Sequence, residues 1–207
     1  MRQKKVIEML DILYGQALKS VRPVDYSAIE LAERYLRKYG ESSVAADKLI
    51  NNQVIKSGTP GFIAGLGGII TFPVAIPANM ASLLYIQLRM VAGIACIGGY
   101  RPEDDAVRTF AYICLTGRSA AGIIEKAGIE KGEKITVDTL KCIPVSVLKG
   151  INKSIVKSFL MKTGKKSIVK LGEFAPIVGG VVGYGFNFFS SRSVARNAKK
   201  IFIEGTM

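Results

Sequence analysis

The chain has no histidine and no tryptophan, and its 16 acidic residues are outnumbered by 29 lysines and arginines. Without histidine there is no imidazole base, and neither a Ser-His nor a Cys-His pair can form. Cysteine is scarce as well: Cys96, Cys114 and Cys142 are widely spaced, odd in number and set among apolar neighbours. That pattern argues against a disulfide frame and leads us to expect buried free thiols in a reducing compartment. There is no CxxC pair and no carboxylate cluster at ligand spacing, so neither a metal nor a cofactor is expected. Alternating apolar and polar runs, the mark of half-buried strands, are also missing.

Apolar residues, glycine and positive charge are in excess. Hydrophobic residues make up 49% of the 207, glycine contributes 22, and the formal net charge is +13. The mean hydropathy of +0.28 is high for a chain that folds in water. A basic balance favours polyanions: an anionic membrane face, nucleic acid or an acidic partner. Nucleic acid is disfavoured, because the basic stretch has no interleaved aromatics or arginines and no helix-turn-helix or other named module occurs.

Periodicity predicts helices nearly throughout. In residues 3 to 20, Val6, Met9, Leu10, Leu13 and Leu18 form one apolar stripe. This N-terminus carries Glu8 and Asp11 within it and reads as an amphipathic helix, not a signal peptide. Ser27 and Glu30 have capping-box spacing at the head of a helix that Gly40 ends. Further helices are expected over 42–57, from about Pro77 to Ile97, and over 102–128. A polar connection follows at 128–140. Helices resume over 144–161, 165–172, 176–190 and 193–203. The expected architecture is an all-α, single-domain bundle of about seven to nine helices spanning 1–207, in which 1–40 form N-terminal helices.

Two stretches are uncharged, Ser57 to Leu88 and Phe174 to Ser191. The first exceeds the roughly 20 apolar residues that cross a bilayer, but Pro73 and Pro77 divide it into pieces too short to span alone. Gly61, Ala64, Gly65 and Gly68 would share one helix face, and Gly179 and Gly183 repeat the idea. Such faces let backbones approach closely, so the two segments are expected to pack together in the core. Loops and membrane insertion are the other readings. Arg89, with apolar sequence on both sides, must reach solvent, snorkel or find an acid such as Glu103, Asp104, Asp105 or Glu125, unless it meets a ligand or a lipid headgroup.

Between Thr139 and Gly172 lie Lys141, Lys149, Lys153, Lys157, Lys162, Lys165, Lys166 and Lys170, with no acid among them. Lys149, Lys153 and Lys157 share a face, and Leu148, Ile151, Ile155 and Phe159 form another. A helix of this kind can lie on an anionic membrane, or can be an ordinary solvated bundle helix. Two catalytic likenesses fail. "TGKKS" lacks the upstream glycine and preceding strand of a phosphate loop. "SIVK" and "KTG" stand too close together for β-lactamase signatures.

"TPGFIAGLGGIITFPVAIP", "LLYIQLRMVAGIACIGGY", "EDDAVRTFAYICLTG" and "PIVGGVVGYGFNFFSSRSVARNAKKIF" together resemble the EcsC family of bacterial proteins over about residues 40 to 205. The middle part also resembles a domain of unknown function found behind some bacterial GTPase domains. In such proteins an acid often follows the lead-in proline, where this chain has Val74. The resemblance implies a helical, membrane-associated, non-enzymatic protein with an accessory role beside a transporter.

The leading expectation is a cytoplasmic protein, peripheral to the inner face of the cell membrane, that binds an anionic membrane or a membrane-protein partner. Lys149, Lys153, Lys157, Lys162, Lys165, Lys166 and Lys170 are its candidate contacts. The alternative is a membrane-inserting, pore-forming effector, and a hydrolase or transferase stands third. The sequence leaves the oligomeric state open.

Overall fold

The computed structural model describes residues 3–19, 26–58, 78–117, 120–125, 128–129, 134–163 and 179–206. Every regular element among them is helical: α1 (Gln3–Lys19), α2 (Ala28–Tyr39), α3 (Ser42–Gly58), α4 (Ala78–Ile97), α5 (Asp105–Leu115), α6 (Ala120–Glu125), α7 (Val137–Lys141), α8 (Val145–Thr163) and α9 (Gly179–Lys199). A π-helical turn over Lys200–Glu204 follows. The fold is all-α, as the periodicity predicts.

Local chemistry sets the helix ends. The Ser27 hydroxyl accepts from the Glu30 amide at 3.2 Å, and the Ser27 amide donates to Glu30 Oε2 at 2.7 Å. The capping box of α2 is therefore complete, and it holds the Glu30 carboxyl below its usual range. Gly40, at φ +73°, ends the helix and donates to the Leu36 carbonyl.

Elsewhere distant contacts overrule the local pattern. The helix expected over 102–128 is interrupted at Thr116–Gly117, because Asn197 donates from Nδ2 to the Cys114 and Gly117 carbonyls and so satisfies the end of α5 from another helix. The polar connection at 128–140 contains α7, whose first turn is capped by Thr136 and Thr139 bonding to each other's backbone. The two helices expected over 176–190 and 193–203 are one helix, α9, with the π-helical turn beyond it. Its polar Ser190 and Ser191 accept hydrogen bonds from Gln87 instead of breaking the chain. The segment 165–172 lies outside the described residues.

Helix α4 is the axis. Around it pack α1, α2, α3, α9 and α5, each also touching the next. The ring closes between α5 and α1, where Tyr112 donates to Asp11 at 2.7 Å and the Tyr14 and Tyr112 rings meet edge to face. Helix α8 covers that seam, packing on both α1 and α5. Among the described residues one helix is long and apolar enough to cross a bilayer, Met80–Ile97, and 83% of it is buried within the bundle. Glycine permits the tightest contact with α3: a Cβ on Gly93 would lie 3.1 Å from Leu49 Cδ1.

The C-terminus is clasped against the end of α4. Tyr100 donates to the Ile135 carbonyl at 2.9 Å and stacks edge to face on Phe202, while the Ile135 amide donates to Gly205. A Cβ on Gly98 would sit 1.9 Å from the Phe202 carbonyl oxygen, so only glycine fits there without moving backbone. Gly98→Ala should destabilise the chain by about 2–3 kcal/mol in denaturant unfolding, because the obstacle is main chain and cannot rotate away. Gly150→Ala, on the open face of α8 with nothing within 4 Å, should stabilise by about 0.5–1 kcal/mol. A Gly98→Ala chain as stable as the parent would refute the clasp.

Candidate site: an exposed lysine row and a buried arginine

Helix α8 is amphipathic, and the structure shows where each face goes. Leu148, Ile151, Ile155 and Val156 are buried against the α1–α5 seam, α6 adding to the contact. The apolar stripe that could have entered a lipid surface is thus spent on the core; Phe159 lies outside the described side chains. Lys149, Lys153 and Lys157 are all exposed at a spacing of four, so their ammonium groups line one ridge. Val145, 63% exposed, heads that ridge at the same spacing. Its exposure is a feature that sequence periodicity did not single out. Lys162 continues the helix with its side chain outside the described residues, and Lys165, Lys166 and Lys170 lie outside them altogether.

Arg89 is on α4 and is 1% exposed. Neither solvent nor snorkelling is open to it, which leaves partners inside the bundle. Its guanidinium stands close enough to Tyr35 on α2 to favour the phenolate there, although burial dominates and pushes the Tyr35 hydroxyl up. Three of the acids considered for it are engaged otherwise or exposed: Asp105 pairs with Arg108 at 2.5 Å, and Glu103 and Glu125 are on the surface. Arg108 also reaches Asp11, at 3.5 Å, which ties the α1–α5 seam together. Arg89 and the lysine row are separated by the layer of α1 and α5, so they do not form one site.

Gly61, Gly65 and Gly68 lie outside the described residues. Gly179 and Gly183 fall in the first turns of α9, but their surroundings lie outside as well, so the expected glycine-to-glycine packing has no structural counterpart to report. The cysteines are unpaired. Cys114 is buried and Cys96 half-buried, but Cys142 is exposed, contrary to the expectation of three buried thiols. It caps α7, a helix of five residues in which only Leu140 is buried. Burial pushes the Cys96 thiol up to about 12, with Glu103 adding to it. Among the described residues no three carboxylate or cysteine side chains gather around one point that could hold a metal ion.

The model of the EcsC protein family matches residues 13–203, nearly the whole chain. The chain belongs to the EcsC protein family. No curated protein and no solved structure matches it. Membership in the EcsC family thus extends further toward the N-terminus than the residues that carried the resemblance, and takes in the end of α1 and all of α2.

The buried phenols give this EcsC-family bundle a defined pH response. Burial, foremost, pushes the Tyr14 and Tyr112 hydroxyls above their ordinary value of 10.0, with Cys96 next for Tyr14 and the hydrogen bond to Asp11 next for Tyr112. Each is neutral in the fold and ionises more readily unfolded. Their contribution is therefore whole below the unfolded pKa and lost as pH rises toward the folded one. Stability should fall steadily from about pH 9 upward, the buried thiols of Cys96 and Cys114 leading because burial raises both. Tyr14→Phe with Tyr112→Phe should cost about 1 kcal/mol per lost hydrogen bond at neutral pH and make the alkaline slope shallower. Urea unfolding at stepped pH checks this; an unchanged slope in the double variant contradicts it.

Proposed function

We propose that the chain is a non-enzymatic, membrane-peripheral protein of the cytoplasmic side that binds an anionic membrane or a membrane-protein partner. The observation that supports it best is the lysine row of α8. Three cations stand exposed on one ridge while the main apolar stripe of the same helix is held in the core, so this surface offers charge with one exposed valine, Val145, at its head. Such contact is electrostatic and reversible. Each basic residue near an anionic leaflet contributes about 1 kcal/mol, and the attraction fades within a Debye length.

An accessory role beside a transporter is consistent with this, since a charged ridge on a compact helical body suits docking better than turnover. Sedimentation with vesicles tests the reading. The protein should pellet with phosphatidylcholine vesicles that contain phosphatidylglycerol at low salt, and should stay in solution with pure phosphatidylcholine or at high salt. Changing Lys149, Lys153 and Lys157 together to Gln should lower the pelleted fraction. Vesicles loaded with dye should not leak, because peripheral attachment leaves the bilayer closed. A chain that ignores anionic vesicles at low salt contradicts the proposal, and dye release would favour the membrane-inserting alternative.

A further inference from the structure

A second surface differs in kind from the lysine row and lies across the bundle from it. Helices α3 and α9 pack side by side, and Lys199 Nζ meets Asp47 Oδ1 at 2.6 Å. That ion pair joins the last residue of α9 to an early turn of α3. Along α9, Ser191 meets Gln87 and, further on, Phe202 meets Gly98, so α9 runs parallel to α4. Gly93 of α4 meets Leu49 of α3, level with the same end of α9, and the pairing of Asp47 with Lys199 makes α3 antiparallel to α9. Moving eight residues from that ion pair along each helix brings Ile55 level with Ser191, within about one turn of Phe189.

Both are exposed, Ile55 by 57% and Phe189 by 73%, the largest exposure among the big apolar side chains described. From Phe189 the outer stripe of α9 continues through Arg192 and Arg196 to Lys200 in the π-helical turn, all exposed, at helical spacings of three and four. The outer stripe of α3 runs from Ile55 through Asn52 and Lys48 to Val44, also exposed. The two helices carry a single acid, Asp47, and Lys199 pairs with it. Arg192 also lies 5.6 Å from the centroid of the Phe188 ring. The face thus carries its two most exposed apolar side chains at one level and its cations along the rest, with the less exposed Val44 at the far end of α3.

That order of chemistry matches one surface: an anionic bilayer, whose phosphates form a layer above hydrocarbon. Ile55 lies in the last turn of α3 and Phe189 at the middle of α9, so the two apolar tips stand at one level of the pair. We propose that the α3–α9 face docks on anionic lipid bilayers, with Phe189 and Ile55 entering the interface and Lys48, Arg192, Arg196 and Lys200 meeting the phosphates. This rests on the membrane reading above and adds a face and a depth to it. Helix α8 lies over the α1–α5 seam, on another side of the bundle from the α3–α9 pair, so the two faces bind in separate orientations and each adds its own share to the pelleted fraction.

The absence of tryptophan makes the test clean, since a single introduced indole is the only one in the chain. Phe189→Trp and, as its counterpart on the lysine row, Val145→Trp are mixed with phosphatidylcholine–phosphatidylglycerol vesicles, with sedimentation run in parallel. The emission of Phe189→Trp should shift to the blue and be quenched by lipids brominated on the acyl chain, while that of Val145→Trp should do neither. In the Phe189→Trp background, Arg192→Gln with Arg196→Gln should lower the vesicle partition constant read from this quenching about thirtyfold, each basic residue near an anionic surface being worth roughly fivefold. Circular dichroism checks that the double arginine variant keeps its helices. If the protein pellets with vesicles but Phe189→Trp emission stays unchanged, the α3–α9 face is refuted and the membrane reading stands. If nothing pellets, both fall.

Discussion

The fold depends on the burial of α4 on every side. A helix of this length and apolarity has two stable homes, a bilayer or the middle of a bundle. Here five other helices take the place of lipid. Enclosure explains the side chains that would otherwise look misplaced. Gln87 can sit in the core because Ser190 and Ser191 of α9 accept from its amide, and Arg89 stands there beside Tyr35 of α2. It also explains the glycines that count: Gly93 admits Leu49 of α3, and Gly98 admits the main chain of the C-terminal turn.

Once α4 is enclosed, the outer helices have their inner faces committed. The apolar stripes of α1 and α8 go inward, and what they show to water is charge. Helix α8 therefore presents a lysine ridge whose apolar share is Val145 at its head. The α3–α9 pair departs from this rule, because it leaves Ile55 and Phe189 outside among arginines and lysines. The positive charge of the chain is thus not spread evenly in chemical kind: one side offers a lysine row headed by a valine, and the other offers charge with the larger apolar tips Ile55 and Phe189.

Much of the fold was legible where the signal is local. Ser27, Glu30 and Gly40 mark α2 by rules that act within one turn, and the stripe from Val6 to Leu13 marks the buried side of α1. Legibility failed where a partner far along the chain decides. Asn197 ends α5 from some eighty residues away, and Gln87 keeps α9 continuous through a polar stretch that reads as a break. Helix α7 was hidden because its capping pair is two threonines in place of the usual threonine and glutamate. For the candidate site, the sequence identified the lysine row by spacing and the oddness of Arg89 by context. It did not reveal Phe189 or Ile55, since a phenylalanine in an apolar run reads as core until three dimensions show it outside.

Hydrogen exchange along α4, with and without anionic vesicles, tests most directly whether this helix remains the enclosed axis while outer faces do the binding. The amides from Leu84 to Ala95 should be the slowest in the chain, exchanging only through global unfolding, and vesicles should leave them as protected as before. Loss of that protection on adding vesicles would contradict the account, because it would mean that α4 leaves the bundle for lipid.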